Sequence, residues 1–493
     1  MPGLPSRVPT HAPAFGPFDV SSSAQLFLDQ VLVRRSDGCS FRLHPAVKHP
    51  RNPLIRADRE WEGWRVEIYG TVMYDEEEHI FKMWYIGESK GYFGELVNPI
   101  LYATSKDGIE WDKPLVGTLH GKMAQHNGVA GADIPSVMKD NQDPDPSRRY
   151  KMTSYIVYPL SDRGYHTMTS PDGLHWTRFS KEPICPGGDV ITGYYDRARQ
   201  LYVAFPKIMT PWAGYSRRVF YIITSPDFVH WSKPELVFAP DLRDDASSLA
   251  RLQEVRHSLD VPDNSAIMRT EFYGIPVYSH ESCLITFPWI FTINNNARYG
   301  NQDGAMEAQI AVSRDLRYFD RQFRLPVIPV GPPGSWDDSE IDTASHAIRV
   351  GDEIRLYYGG TNLTHGGPAL YREEGTGRLT RYTDSIGLAT WKLDRFASVD
   401  ASSDGGTLET VPISHAGSYL ELNASTHAGG EIRVELQDVA SKVLGASHPF
   451  QGDELRHRVA WVDDPAVGET RGKPVKLVFH MKSASLFSFA FRQ

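Results

Sequence analysis

A hairpin motif that recurs along the chain limits the possible folds more than any other feature of the sequence. Three segments share a Ser-x-Asp turn followed by a tryptophan, and two further segments are more distant copies. In chain order they read YATSKDGIEWDKP (102–114), TMTSPDGLHWTRF (167–179), IITSPDFVHWSKP (222–234), IAVSRDLRYFDRQ (310–322) and DSIGLATWKLDRF (384–396). A motif repeated along a chain in this way predicts a fold assembled from copies of one structural unit.

The residues that recur among the copies of this motif have a structural explanation. A turn aspartate can accept hydrogen bonds from backbone N–H groups, and Gly108 and Gly173 permit positive φ angles. The aromatic residues that follow would cover the apolar face of each hairpin. We therefore interpret as structural the residues Asp107, Asp172, Asp227, Asp315, Trp111, Trp176, Trp231 and Phe319.

A second hairpin, with an aromatic return strand, precedes each copy of the motif. These hairpins are GTVMYDEEEHIFKMWYIG (70–87), PSVMKDNQDPDPSRRYKMTSYIV (135–157), ITGYYDRARQLYVAFPKI (191–208), IPVYSHESCLITFPWIF (275–291) and SHAIRVGDEIRLYYGGT (345–361). Their alternation of apolar and polar residues around Gly, Asp and Pro is typical of β-hairpins. Two hairpins provide about four strands, which is one propeller blade. The sequence therefore predicts an all-β fold with a five-bladed β-propeller catalytic domain over residues 50–396.

The segments outside the repeats predict further parts of the fold. Residues 1–49 are expected to form a Pro-rich leader and a packing strand (24–36) that either completes the last blade or joins the C-terminal domain. Alternating segments over residues 397–493 predict a C-terminal β-sandwich. The segment 241–258 has helical periodicity and predicts a helical insertion between the third and fourth blades.

Composition excludes several classes of partner. The net charge of −9, without a long basic run, argues against nucleic acid or an anionic membrane. No apolar stretch approaches the roughly 18 residues of a membrane span, and the start of the chain lacks the apolar core of a signal peptide. Cys39, Cys185 and Cys283 are odd in number and far apart, so no disulfide framework is expected. A cytoplasmic protein is predicted.

Every repeat carries an acidic residue 7 to 9 positions before its polar turn, and these are Glu67, Asp133, Asp189, Glu271 and Asp342. The innermost strand of a propeller blade begins near the central axis, so these acids could form a ring there. Clustered carboxylates raise the pKa of at least one member, which then stays protonated near neutral pH. Cleavage of a glycosidic bond needs such a proton donor and a second carboxylate as base or nucleophile.

With these features the chain resembles the five-bladed propeller glycosidases of glycoside hydrolase families 32, 68 and 43, as a divergent relative. The resemblance rests on the Ser-x-Asp hairpins and on three acids in successive blades. It implies that Asp133 in ADIPSV is the nucleophile or base, and that Asp189 in GDVITGYYD fixes the substrate or tunes a pKa. It implies that Glu271 in EFYGIPVY is the proton donor. The implied activity is hydrolysis or transglycosylation of a furanoside, such as a fructosyl or arabinosyl unit.

Further side chains near the strand starts are expected to bind an oligosaccharide or glycoside, because aromatic rings stack on sugar faces. This set comprises Glu67, Trp64, Trp212, Trp289, Arg218, Trp336, Asp342 and His346. No metal or other cofactor is predicted, because the histidines lack metal-binding spacing; those in candidate cavity loops are His126, His166, His346 and His365. A cation at the propeller axis follows only by analogy with family 43.

Three alternatives stay open at this point. Glu67, Asp133 and Asp189 could form the catalytic set in place of the one that includes Glu271. The chain could be a propeller glycoside phosphorylase, whose phosphate would need a basic pocket supplied by Arg217, Arg218 or Arg298. It could also be a carbohydrate-binding propeller without catalysis.

Overall fold

The computed structural model describes residues 16–157, 159–259, 261–374, 383–463 and 467–493. The start of the predicted Pro-rich leader, up to residue 15, lies outside the described residues. The chain divides into two compact units. One runs from Pro45 to Phe319 and from Phe323 to Trp391, and the other combines the chain up to His44 with Asp320–Gln322 and the chain from Lys392 onward.

Three four-stranded antiparallel sheets follow one another in the larger unit, and we call them the first, second and third blades. The first blade consists of Val66–Asp75, Ile80–Gly87, Ile100–Ser105 and Gly128–Ala130. The second consists of Asp133–Lys139, Tyr150–Ile156, Gly164–Ser170 and Thr177–Arg178. The third consists of Ile191–Asp196, Leu201–Trp212, Tyr215–Ser225 and Glu235–Phe238. Each sheet keeps the order of its strands in the chain, as a meander does.

The rest of the larger unit departs from the prediction of five separate blades. An eight-stranded sheet contains, in order, Arg269–Phe272, Trp289–Asn296, Gln302–Ala308, Glu340–Thr343, Glu353–Thr361, Asp384–Lys392 and Val47–Lys48, with Ile348–Val350 beside Glu353–Thr361. A three-stranded sheet contains Val277–Ser279, Leu284–Thr286 and Ala311–Ser313. The all-β class is confirmed and the arrangement is propeller-like, but it has four blades. The prediction of five is wrong because a parallel pair at Met306 and Glu340 joins strands assigned to different blades.

The turns of the repeated motif are built as predicted. The Asp107 Oδ1 atom accepts hydrogen bonds from the backbone N–H groups of Ile109 and Glu110, at 2.8 and 2.9 Å. The same pattern recurs at Asp172, Asp227 and Asp315. The structural interpretation of these aspartates is confirmed.

Apolar side chains pack between successive sheets. Trp84 of the first blade is fully buried, with its ring centre 6.2 Å from that of Tyr150 in the second blade. Its indole N–H donates to the carbonyl of Gly173, 2.8 Å away, so one side chain ties a blade to the turn of the next. These two contacts hold the first blade against the second.

The predicted helical insertion is confirmed. Helix α1 spans Leu242–Glu254, and the Asp241 side chain caps it by accepting from the N–H groups of Arg243 and Asp244. Helix α2 spans Gly367–Glu374. Short 3-10 helices lie at Glu60–Glu62, Pro146–Arg148, Leu160–Asp162, Arg256–Ser258 and Val467–Thr470. In the described part of the chain, no helix is both long and apolar enough to cross a membrane.

The smaller unit contains a single hydrogen-bonded sheet of 11 strands. Its strands are Phe18–Ser21, Gln25–Leu26, Val33–Asp37, Cys39–Leu43, Ala397–Ala401, Gly406–Thr410, Ile413–His415, Tyr419–Asp438, Val443–Ala446, Asp453–Arg458 and Val475–Arg492. The predicted sandwich of two sheets is not confirmed, because long strands join all the others into one sheet. The predicted N-terminal strand belongs to this unit, where Gln25 pairs with Phe489.

Candidate active site

A cavity of about 280 Å³, which we call the main cavity, lies in the larger unit where the inner strands begin. Carboxyl groups dominate its lining, which includes Glu67, Asp133, Asp189, Glu340, Asp342 and Asp384. Four of these acids belong to the predicted ring, whereas Glu340 and Asp384 do not. Arg65 is the one arginine or lysine among the described lining residues. The cavity therefore concentrates acidic groups with little positive charge in direct contact.

Asp133 is the first residue of the inner strand of the second blade. The pairing register of this strand shifts between Asp133 and Ser136, and the intervening Pro135 has no N–H to donate. Ile134 has a φ angle of +55°, which a β-branched residue rarely adopts. Backbone strain of this kind is often found at functional sites. The bulge places Asp133 and Ile134 on the cavity wall.

The surroundings of Asp133 favour its protonated form. Burial is the largest cause and raises the pKa of Asp133 to about 8, with help from the negative charges of Glu67 and Asp189. A hydrogen bond with the side chain of Asn98 and the charge of Arg65 act in the opposite direction. Since the ordinary value is 3.8, Asp133 is a carboxylic acid that can donate a proton near neutral pH.

Asp189 has different surroundings in the same cavity. Its φ angle is +60°, and its side chain is 43% exposed. The carboxylate forms an ion pair with the ammonium group of Lys207, which lies 3.4 Å from the ring centre of Tyr273. Burial lowers the pKa of Lys207 to about 8, so the ammonium form persists at neutral pH. Asp189 is thus an accessible carboxylate held beside a cation.

Arg65 connects acids from distant parts of the larger unit. Its guanidinium contacts Glu67, lies 2.9 Å from Glu88 and lies 3.4 Å from Asp384. Burial, followed by the charge of Glu67, raises the pKa of Asp384 well above its ordinary value. One guanidinium group therefore contacts three carboxyl groups, so its single positive charge cannot balance all three if they are ionised.

Glu340 and Asp342 occupy alternate positions of one short strand, and alternate residues of a strand face the same side. Burial raises the pKa of both carboxyls well above their ordinary values. The next cause is the charge of Asp342 for Glu340 and that of Glu67 for Asp342. The Oδ1 atom of Asp342 is buried without a hydrogen-bond partner among the described residues. These two acids form a wall in which protonated carboxyls are favoured.

The structure does not place Glu271 at the main cavity. Its side chain is fully buried, and the described residues that line the cavity do not include it. The carboxylate accepts hydrogen bonds from the guanidinium groups of Arg218 and Arg269. Arg218 also lies over the Tyr273 ring, at 5.1 Å from its centre. Glu271, the predicted proton donor, and Arg218, a predicted substrate ligand, thus form an ion pair with each other and do not line the main cavity.

Two of the predicted aromatic ligands support lining residues instead of lining the cavity themselves. The Arg65 guanidinium lies over the Trp64 ring, at 5.0 Å from its centre. Trp289 is 2% exposed and stacks on Tyr69, with 5.0 Å between the ring centres. Tyr69 itself lines the main cavity. Both tryptophans act on the site through a neighbouring side chain.

Trp212 and Trp336 do not contact the main cavity and have other partners. The Trp212 indole N–H donates to the carbonyl of Pro240, 2.8 Å away. Trp336 stacks on Tyr358, with 5.5 Å between the ring centres. Neither tryptophan lines the main cavity, so the structure separates them from the carboxyl cluster.

His346 borders another cavity of about 550 Å³, with Thr71, Val137 and Tyr194 among its lining residues. The His346 Nε2 atom lies 2.9 Å from the carbonyl oxygen of Gly193. Burial lowers the pKa of His346 to about 4, so the imidazole is neutral. Four of the predicted substrate and catalytic residues, but not His346, share the main cavity.

His365 lies in the loop before α2 and lines the main cavity. The sequence identified it only as a histidine in a candidate cavity loop. Burial, and next the charge of Arg218, lower its pKa to about 4. His126 and His166 are bound to backbone carbonyls of Leu119 and Asp162. Within the described ranges, no group of three or more His, Cys, Asp or Glu residues is arranged to hold a metal ion.

Sequence reasoning missed several polar residues of the site. Asp384 is the first residue of the fifth repeat and precedes an apolar segment. This position could have identified it as a lining residue of the main cavity. Glu340 stands two residues before the predicted Asp342, at the same strand period. Arg65 and Lys207 carry no local motif, because their roles depend on acids brought close by folding.

No family model matches the chain, and no curated protein matches its sequence. Among solved structures, it is similar to the β-1,2-mannobiose phosphorylase from Listeria innocua, with 13% identity, coverage of 71% of this chain and 97% of that chain, and a TM-score of 0.45. A glycosyl hydrolase from Bacteroides ovatus is 13% identical, with 71% and 94% coverage and a TM-score of 0.44. A putative glycosidase from Bacteroides thetaiotaomicron is 13% identical, with 70% and 96% coverage and a TM-score of 0.44. None of these three is named as a member of families 32, 68 or 43, and TM-scores of this size assign no activity to the chain.

Proposed function

We propose that this chain is an enzyme that cleaves a glycosidic bond, with Asp133 as the proton donor and Asp189 as the nucleophile or base. One observation carries the proposal: the two side chains line one cavity but have different charged neighbours. Burial, and next the charges of Glu67 and Asp189, raise the pKa of Asp133 to about 8, whereas Asp189 is paired with the ammonium group of Lys207. Two carboxyl groups divided in this way are what glycosidic cleavage needs.

The reaction follows from these two roles. As the bond between the anomeric carbon and the leaving oxygen breaks, Asp133 transfers its proton to that oxygen. Asp189 either attacks the anomeric carbon or removes a proton from the attacking water. In the first course, a water molecule later displaces Asp189 and returns a proton to Asp133. In both courses one water is consumed, and the carboxylates of Glu67 and Asp189 stabilise the positive charge of the transition state.

The proposal changes the roles inferred from the sequence. Glu67, Asp133 and Asp189 all line the main cavity, so the alternative set is favoured over the set that includes Glu271. The Glu67 carboxylate is paired with Arg65, which suits a residue that binds the substrate or tunes its neighbours. Asp133 takes the donor role because its surroundings favour the acid form.

Phosphorolysis is the less favoured candidate. Phosphate is an anion, and the described lining of the main cavity holds six carboxyl residues and one arginine. Arg217 is bound to Asp245, and Arg218 is bound to Glu271. We expect sugar release at an undiminished rate in phosphate-free buffer. A strict requirement for inorganic phosphate, with a sugar phosphate as product, would instead establish phosphorolysis.

The sugar and the cellular location complete the proposal. We retain a furanoside as the substrate, and a panel of nitrophenyl furanosides and pyranosides tests this, with preferential cleavage of pyranosides as the contrary result. We retain a cytoplasmic location, which the free cysteines Cys39, Cys185 and Cys283 support. Recovery of the protein outside the cytoplasmic fraction of its native cells would contradict that location.

The catalytic roles are tested with two variants and one control. Asp133→Asn should lower kcat on alkyl glycosides by about 10²–10⁴-fold, and less on dinitrophenyl glycosides, whose leaving groups need little protonation. Asp189→Asn should lose activity on both. Asp404→Asn, at an exposed position of the other unit, should behave like the wild type. Full activity of Asp133→Asn on an alkyl glycoside would refute its role, and sugar binding without any turnover by the wild type would favour a binding protein.

A further inference from the structure

A smaller pocket of about 150 Å³, which we call the side pocket, adjoins the main cavity. Asn98 and Asp133 line both spaces, whereas Asp189 lines only the main cavity. The other described residues of the side pocket are Leu96, Val97, Gly131, Ala132 and Val157. Asp133 therefore lies at the junction of a large acidic space and a small, mostly aliphatic one.

We propose that the side pocket binds the leaving group of the glycoside and that this group is a small apolar alcohol. The inference rests on the proposed function, in which Asp133 protonates the leaving oxygen. A proton donor must contact that oxygen, and the nucleophile or base acts at the opposite face of the sugar. Because Asp133 reaches both spaces and Asp189 only one, the sugar ring belongs in the main cavity and the leaving group in the side pocket.

The lining of the side pocket defines the chemistry of this group. Leu96, Val97, Ala132 and Val157 are aliphatic, and the two residues with polar side chains, Asn98 and Asp133, are those that the side pocket shares with the main cavity. A hydroxyl-rich second sugar would find hydrogen-bonding side chains only at Asn98 and Asp133, so hydroxyls placed against the aliphatic side chains would lose partners that water provides. An apolar group would gain free energy as its surface leaves water.

Gly131 contributes to the shape of the pocket. A Cβ atom at this position would lie 3.0 Å from the Leu96 Cδ1 atom, so the glycine allows the leucine side chain to pack closely over it. A cavity of roughly 150 Å³ in an apolar protein interior accommodates benzene. The side pocket, at about 150 Å³, therefore suits an alkyl or aryl group of roughly six carbons.

The test compares cyclohexyl and methyl glycosides of the sugar that the substrate panel identifies. Both leaving alcohols are weakly acidic, so a difference between them reports contact with the pocket. We expect kcat/KM to be about 10- to 100-fold higher for the cyclohexyl glycoside. Leu96→Gln should reduce this ratio towards unity. Leu115→Gln, the same change at a side chain that is 52% exposed and outside the pocket, should leave the ratio unchanged.

A second variant guards against misfolding of the first. Val157→Thr keeps the shape of the side chain, adds a hydroxyl to the pocket and should also lower the ratio. Equal kcat/KM values for the two glycosides in an active enzyme, or a preference for a disaccharide, would overturn the side-pocket proposal and leave the roles of Asp133 and Asp189 intact.

Direct binding tests the pocket without catalysis. Cyclohexanol should shift NMR resonances of the wild type in a saturable manner, and the shifts should weaken in Leu96→Gln but not in Leu115→Gln. Absence of saturable binding by the wild type would overturn the side-pocket proposal. If cyclohexanol binds but no glycoside is cleaved, the pocket stands as an apolar site and the proposed function fails.

Discussion

The ammonium group of Lys207 forms an ion pair with the carboxylate of Asp189 while lying 3.4 Å from the ring centre of Tyr273. The lysine is buried, and the aspartate side chain, which lines the main cavity, is 43% exposed. A buried cation thus faces an accessible anion, and the aromatic ring contributes a cation–π contact to the cation. This arrangement fixes the position of Asp189 and balances its charge.

Removal of the Lys207 charge should impair catalysis through Asp189. We expect Lys207→Met to lower kcat/KM at neutral pH by about tenfold or more, which corresponds to ~1.4 kcal/mol of transition-state stabilisation. Lys207→Arg keeps the positive charge and should retain more activity than the methionine variant. Lys233→Met, at an exposed position, is the matched control. A folded Lys207→Met enzyme with wild-type kinetics would show that Asp189 does not depend on this cation.

The pH dependence of kcat/KM should identify the proton donor. Because the protonated form of Asp133 is the active one and its pKa is raised to about 8, activity should fall as the pH rises through that value. Lys207 titrates in the same range, since burial lowers its pKa to about 8. The alkaline fall should persist in Lys207→Arg, whose guanidinium stays protonated. It should vanish from the residual activity of the double variant Asp133→Asn/Lys207→Arg, in which neither group titrates near pH 8, and its persistence there would assign the fall to another group.

Glu271 should prove structural. Glu271→Gln leaves the buried guanidinium groups of Arg218 and Arg269 without their carboxylate, so we expect a loss of about 3 kcal/mol in the free energy of unfolding. Urea denaturation measures this loss. Glu110→Gln changes a glutamate whose side chain is 67% exposed and should leave the unfolding midpoint unchanged. Unchanged stability of Glu271→Gln with a hundredfold fall in kcat would restore Glu271 as a catalytic residue.

Asp342 should make the folded state less stable as the pH rises. Burial raises its pKa well above 3.8 in the folded protein, so folding favours the protonated form. Its contribution to stability is complete at pH values below the ordinary pKa and is lost as the pH rises through the folded-state pKa. Asp342→Asn cannot ionise, so its Tm should fall less steeply than that of the wild type between mildly acidic and alkaline pH. Parallel Tm curves would contradict this prediction.

Local interactions made parts of the fold predictable from the sequence. The aspartates of the repeated turns accept hydrogen bonds from residues two and three positions later, so their role is contained in the motif. Helix α1 is capped by Asp241, which adjoins its first turn. The number of blades was wrong because the parallel contact between Met306 and Glu340 joins two sheets across 34 positions of sequence, and no local pattern specifies it.

The sequence by itself determined the repeated strand units and placed an acid ahead of each inner strand, and Asp133 and Asp189 do line one cavity. Only the tertiary structure showed that Glu271 does not line this cavity. Its buried carboxylate accepts hydrogen bonds from Arg218 and Arg269 instead. Protonation depends on burial and on charges that are distant in the chain. Arg65, for example, lies 319 positions from Asp384 and contacts it at 3.4 Å. The identity of the acid and of the base therefore follows from packing that brings such residues together.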